Sequence, residues 1–368
     1  KAEAEELQAL LEQDHPGCRL EPWDWRYYAD KVRRARFGLD ANALRPYFPL
    51  DQVREGAFRT ANRLYGITFN ERHDLPTYHP EVRAFLVQDR DGGFLGIYLA
   101  DYHVRPGKHG GAWMDTFRRQ WRHHGREVRP IVYNVANFGR PLGEVPALLT
   151  LEEVRTLFHE FGHALHSLLS RCRYRSLSGT ATALDFSEMP SQIMEHWAVE
   201  PEVLAGYARH YRTGGPLSPE LLARIQQARC ADQGFATTEY LAAAYLDMDW
   251  HSLADERPVD GLAFEAASMA RIGLLPEIPP RHRTPYFAQS MGGEYAAGYY
   301  GYLWSAVLGA DAFDTFEEQG DIFHGATARS FRANLLEKGG SEDPMALYTR
   351  FRGRPPLVAP LLRKRGLG

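Results

Sequence analysis

Two histidines stand four residues apart in His159-Glu160-Phe161-Gly162-His163, with a glutamate beside the first. On a helix that spacing projects both imidazoles to one side, one turn above the other. Two imidazoles so placed hold one Zn²⁺, and the adjoining Glu160 then serves as a general base for hydrolysis. A hydrolytic site also needs a third protein ligand and an open position for water. Glu188, at the start of the next apolar-periodic segment, is the candidate ligand, completing a His₂Glu set for one Zn²⁺ per chain. Asp185 is near enough in sequence to orient a ligating imidazole from behind. Gln192 and Glu195 lie one and two turns beyond Glu188, roughly in line with it. The competing readings are chance histidines beside a packed seam, a Glu188 that only answers the helix dipole, and an Asp185 that is only an N-cap.

A second chemical stretch is Tyr295-Ala-Ala-Gly-Tyr299-Tyr300-Gly-Tyr302. Steps of four and three put Tyr295, Tyr299 and Tyr302 on one helix face. Amide hydrolysis passes through an oxyanion, and a phenol O–H near the metal donates to it. The alternative is an aromatic core stripe, the usual fate of tyrosines at helical spacing. His166, His196, His210, His251, His282 and His324 read as surface or core histidines rather than ligands.

The element carrying the motif predicts itself. Thr150 and Glu153 form a capping box, and Val154, Leu157, Phe158, Phe161, Ala164, Leu165 and Leu168 make one apolar face. Residues 1–79 read as a helical lead-in, with Asp51 as one N-cap. Residues 80–145 read as a small sheet: Ala84–Val87 and Phe94–Leu99 joined at Asp91-Gly92-Gly93, then Ile131–Ala136. Arg105–Met114 reads as a Gly-rich structural turn, since it lacks the spacing of a phosphate loop. Ile131–Asn137, flanked by Pro130 and Pro141, reads as an edge strand on which a peptide backbone adds. Residues 146–205 carry the metal-site helices. Residues 206–368 read as helical, with Pro219 opening one helix, Phe235–Trp250 another, Tyr295–Leu308 a third, and the tyrosines forming a substrate wall. The expected fold is mainly α with a small β-sheet, and a deep cleft beside the metal helices.

The chain has 368 residues and a formal net charge of −4. No basic stripe points to nucleic acid, and no apolar run approaches the ~20 residues of a membrane span. Lys1–Gln13 reads as charged and helical rather than as a secretory signal. Cys18, Cys172 and Cys230 are isolated, which argues for a reducing, cytoplasmic setting; Cys172, close behind the motif helix, reads as a small buried hydrophobe.

Phe158-His-Glu-Phe-Gly-His-Ala-Leu-His166, followed by Ser178-Gly-Thr and by Asp185-Phe-Ser-Glu-Met-Pro-Ser-Gln192, resembles the thimet oligopeptidase family of zinc peptidases. The likeness extends through 105–114, 236–244, 295–304 and 339–348, and is greatest to bacterial peptidyl-dipeptidases and oligopeptidase A. The resemblance implies a zincin-like metallopeptidase domain with His159, His163 and Glu188 as zinc ligands and Glu160 as base. It also implies substrate or transition-state contacts at Tyr295, Tyr299 and Tyr302. The implied activity is hydrolysis of short peptides, by release of C-terminal dipeptides or, alternatively, by internal cleavage. It covers only the family's carboxy-terminal half, so an amino-terminal half is an implied partner, through processing or a split protein. Two positions depart from the pattern: Gln289 where relatives have His, and Leu184 where they have Arg. Both remove cationic capacity while leaving ligands and base intact. A zinc-binding, weakly active half that binds peptide or a partner chain is the reading of another class that follows from them.

Overall fold

The computed structural model describes residues 1–254 and 258–368. They form two compact units, one of Ala41–Pro219 with Ser305–Pro360, the other of Lys1–Asp40, Glu220–Trp304 and Leu361–Gly368. Helices dominate both, and every strand lies in the first.

The strands of that unit are β1 (Thr68–Glu71), β2 (Arg83–Gln88), β3 (Phe94–His103), β4 (Trp113–Arg118), β5 (Trp121–His123), β6 (Arg126–Val128) and β7 (Ile131–Phe138). Five of them make one sheet in the order β1-β2-β3-β7-β4, while β5 and β6 pair separately. The β2–β3 hairpin turns where expected: Asp89 N–H bonds to Gly93 O at 2.8 Å, and Gly92 takes φ 81°, a left-handed value that glycine adopts without steric cost. β3 and β7 run parallel with Ile97 opposite Ile131, and β4 pairs antiparallel with β7, Met114 opposite Asn134.

Three expectations change here. β7 is not an edge: β4 covers its outer side, so the edges are β1 and β4. Pro130 marks only the start of β7, where its missing N–H costs no ladder bond, and its carbonyl accepts from Ile97 N–H at 3.0 Å. The sheet also begins earlier than expected, at Thr68. Finally, the helix Leu50–Tyr65 starts from Pro49, and Asp51 sits in its first turn rather than capping it. The Gly-rich turn is structural as expected. Lys108 Nζ reaches the carbonyls of Asp101 (3.1 Å), His103 (2.9 Å) and Ala136 (2.5 Å), so its three donors are spent on β3 and β7.

The motif helix, Leu151–Leu169, carries the predicted capping box: Glu153 N–H to Thr150 Oγ1 at 3.1 Å and Thr150 N–H to Glu153 Oε2 at 2.7 Å. Its far end is closed by the Arg129 guanidinium, which donates to Leu168 O (2.6 Å) and Ser170 O (3.2 Å) and, through Nε, to Leu95 O of β3 (2.8 Å). A cation on the last carbonyls of a helix answers its dipole. Between these ends Phe161 enters an aromatic cluster with Phe58, Phe69 and Tyr98, at ring separations of 5.4–5.8 Å. Burying one such ring contributes about 1.5–3 kcal/mol, and here it fixes the rotation of the helix against the sheet.

The second unit packs Leu7, Leu11, Trp25, Tyr28, Phe235 and Ile278 into one core. Its helices Ala2–Asp14, Trp25–Phe37 and Gln233–His251 follow the expected periodicity. Residues 294–300 are turns, and the helix begins only at Gly301, running to Glu317. Gly292 and Gly293 form the expected bend, and Gly298, with Ala297 left-handed before it, interrupts the stretch that was expected to be helical from Tyr295.

Candidate metal centre

Phe161 points to the core, so its helix neighbours are aimed by default. His159 and His163 emerge on one face with ring centroids 5.1 Å apart, and their side chains remain 19% and 12% exposed. Glu188 comes to them at the junction of two helices, Leu184–Ser187 and Met189–Ala198. Its Oε2 lies 3.0 Å from His163 Nε2 and 3.2 Å from His159 Nε2. The approach depends on Gly162, because a Cβ there would stand 2.4 Å from Pro190 O and 2.6 Å from the Ser191 Cα. Ser191 Oγ donates to Glu188 O at 2.7 Å and lies 3.2 Å from Glu188 Oε2, which holds the residue at the helix start.

The three ligand atoms lie within 4.8 Å of one another, the one such group of His, Cys and acidic side chains among the described residues. Tetrahedral zinc with ~2.0–2.1 Å bonds separates its ligand atoms by roughly 3.4 Å, close to the distances found. The donor set is two imidazole nitrogens and one carboxylate oxygen, which suits zinc. The residues present therefore fit the ion.

Electrostatics tie the group together. Burial opposes the charged form of Glu188, but the charge of His163 and the hydrogen bonds from both imidazoles outweigh it, holding the carboxyl well below its usual range. Burial also opposes a charged His159, yet Glu188 and Glu195 hold its pKa well above the ordinary histidine value. Glu160 is 8% exposed, with Oε2 buried and unpartnered. Burial raises its pKa against the pull of both histidines. An unpaired buried carboxylate oxygen is costly unless something occupies the space before it.

Glu195 is the residue that sequence reasoning left without a role. Its Oε1 accepts from His159 Nδ1 at 2.7 Å, so Nε2 is the ring nitrogen turned to Glu188. Its position seven residues after Glu188, on the same helix face, was the available signal. His163 Nδ1 is buried with no hydrogen-bond partner, so Asp185 does not orient that nitrogen here; the Asp185 carbonyl accepts from Ser305 Oγ at 2.8 Å. His166 is wholly buried with neither ring nitrogen partnered. Burial and the charge of His163 lower its pKa to about 3.

In the other unit, Tyr295 and Tyr302 stack at 5.0 Å and 7°, and Gln289 Nε2 donates to the Tyr302 hydroxyl at 2.6 Å. Tyr299 is only 3% exposed, packed with Ala243, Ala244 and Phe287. Burial pushes its phenol up to about 12. Its place is that of a core ring, because the turn at 294–300 breaks the single helix face expected for the three tyrosines.

The model of peptidase family M3 matches residues 1–367. The chain belongs to that family. Among M3 relatives, the dipeptidyl carboxypeptidase of Escherichia coli K12 is 45% identical over 364 residues, covering 98% of this chain and 53% of the relative. Oligopeptidase A of the same strain is 40% identical over 370 residues, covering 99% and 54%. The chain thus spans about half the length of the curated relatives it matches. The solved structure of PZ peptidase A with an inhibitor shares the fold at TM-score 0.50 and 13% identity, over 99% of this chain and 58% of that one. Within this M3 chain the Glu195 contact carries a prediction. Glu195→Gln lowers zinc affinity about 10–100-fold, the range for partners behind a ligating imidazole, while the fold is kept. Competition with a chromophoric chelator checks it, and unchanged affinity would mean that His159 needs no such orientation.

Proposed function

We propose that this chain hydrolyses peptide bonds in short peptides with one zinc ion held by His159, His163 and Glu188. The observation that carries the reading is the unpartnered, buried Oε2 of Glu160 beside that three-ligand group. Zinc bound there polarises a peptide carbonyl and lowers the pKa of water. Glu160 takes the proton of the attacking water and returns it to the leaving amine nitrogen as the C–N bond breaks. Glu195 holds His159 in the tautomer that presents Nε2. Tyr302 and Tyr295 are assigned as donors to the oxyanion, on the strength of the family motif and of phenol chemistry. The edge strand β4 is the place where an extended peptide backbone adds to the sheet.

The higher identity to the dipeptidyl carboxypeptidase favours release of C-terminal dipeptides. Internal cleavage is the second reading, supported by the likeness to oligopeptidase A. Mass spectrometry of products separates them. Release of dipeptides from a free C-terminus, abolished by C-terminal amidation, is expected; equal cleavage of the amidated peptide would favour the second. Activity that survives complete removal of zinc would overturn the proposal itself. No helix among the described residues is long and apolar enough to cross a membrane. Cys18, Cys172 and Cys230 are free thiols, which suits the reducing, cytoplasmic setting we assign.

The departure at Gln289 yields a further expectation. Its neutral amide donates to Tyr302, and charge-assisted hydrogen bonds are roughly twice as strong as neutral ones. Gln289→His therefore raises kcat about ten-fold, ~1.4 kcal/mol of barrier, with little change in KM. Steady-state kinetics on one peptide at fixed zinc test it; a shifted KM at constant kcat would show that position 289 only binds substrate.

A further inference from the structure

The tyrosine turn is held in an uncommon backbone shape. Ala297 takes φ 54°, a left-handed conformation that disfavours a residue with a Cβ. Such a residue persists only when its surroundings over-determine it. The helix Gln233–His251 supplies those surroundings from one face. Asp247 is fully buried; its Oδ1 accepts from Ala297 N–H at 3.1 Å and its Oδ2 from Tyr299 N–H at 2.9 Å. Two turns earlier on the same face, the Tyr240 hydroxyl donates to Tyr299 O and accepts from Leu303 N–H at 3.3 Å. His251 Nδ1, one turn beyond Asp247, lies 2.8 Å from Asp247 O and 2.9 Å from Asp247 Oδ1.

Both amides that Asp247 holds flank Gly298, where the chain reverses before entering the helix at Gly301. That reversal is what lays the Tyr295 ring on the Tyr302 ring and leaves the Tyr302 hydroxyl facing Gln289. We infer that Asp247, backed by Tyr240, is a positioning residue for hydrolysis: by clamping the 297 and 299 amides it sets the two phenols that donate to the oxyanion. The inference rests on the peptidase reading above. Its physical basis is that charge-assisted bonds to buried backbone donors are the strong ones, while the turn's own backbone bonds, Gly298 N–H to Tyr295 O and Gly301 N–H to Gly298 O, leave the 297 and 299 amides to Asp247.

Hydrogen exchange of the zinc-loaded chain tests the clamp independently of activity. In Asp247→Asn the near-isosteric amide meets one backbone N–H with an N–H₂. Exchange across 293–303 is expected to speed at least about ten-fold, with other segments within about two-fold. With it, kcat falls about ten-fold and KM stays within about two-fold, the signature of a contact felt in the transition state. Tyr240→Phe, a milder change should Asp247→Asn fold poorly, speeds exchange at Leu303 and lowers kcat less. Unchanged exchange in the turn, or faster exchange spread through the whole chain, would overturn the clamp. A loosened turn with undiminished kcat would overturn the positioning role while leaving Glu160-dependent hydrolysis standing. Loss of that Glu160 dependence would instead mark failure of the peptidase reading.

Discussion

Replacing Glu160 by glutamine is expected to leave a folded, zinc-binding chain that cleaves short peptides about 10²–10⁴-fold more slowly. Glutamine matches the shape of glutamate but does not accept a proton. The side chain is nine-tenths buried, and its free Oε2 has no hydrogen bond to lose, so the exchange does little to stability. Glu160 is also not among the three converging ligand atoms, so zinc affinity stays within a few-fold. The loss therefore appears in kcat and in kcat/KM alike, because the proton transfer exists only on the way to the transition state. Parallel measurements of zinc content, melting temperature and turnover check it. Cleavage at the parent rate would remove Glu160 from the base role.

Gly162→Ala is expected to be the most damaging single methyl in the metal-site region. The added Cβ meets backbone, Pro190 O and the Ser191 Cα, rather than a side chain that could swing aside. Overpacking of this kind costs ~1–3 kcal/mol, and more when only main chain is available to move. Relief requires the helix Met189–Ala198 to shift away from the motif helix, and Glu188 sits immediately before it. Zinc affinity is thus expected to fall at least about ten-fold as the third ligand withdraws, along with a drop of several degrees in Tm. Gly206→Ala is the control: its Cβ would meet nothing within 4 Å, and alanine is the better helix former. Thermal melts and chelator competition on both variants decide. Equal behaviour of the two would mean that the close approach at Gly162 is not what seats Glu188.

Much of this site was legible before any coordinates. The capping box, the apolar stripe and the i, i+4 histidines all depend on helix periodicity, which a sequence displays directly, and Glu188 followed from the need for a third ligand. What was illegible depended on neighbours far apart in the chain. Spacing put Glu195 on the Glu188 face but did not name His159 Nδ1 as its partner; that contact exists because Gly162 lets two helices close. β7 looked like an edge because its strand-forming residues are flanked by prolines, but edge status belongs to the sheet, and β4 takes it. Trp113, Thr116 and Phe117 were the available signal for β4, masked by the glycines just before them. Tyr299 fell to the core because helical spacing was assumed across 295–300, where the chain instead turns, with Ala297 left-handed. The clamp from Asp247 arrives from fifty residues upstream and has no motif at all.

The account turns on one zinc ion lying between His159, His163 and Glu188. Crystals of the zinc-loaded chain, measured on both sides of the zinc absorption edge, test this directly. The expected result is one anomalous peak within ~2.0–2.2 Å of His159 Nε2, His163 Nε2 and a Glu188 carboxylate oxygen, with Glu160 beside it and not bound to it. A peak held by other side chains, or a Glu188 turned away from both imidazoles, would contradict it.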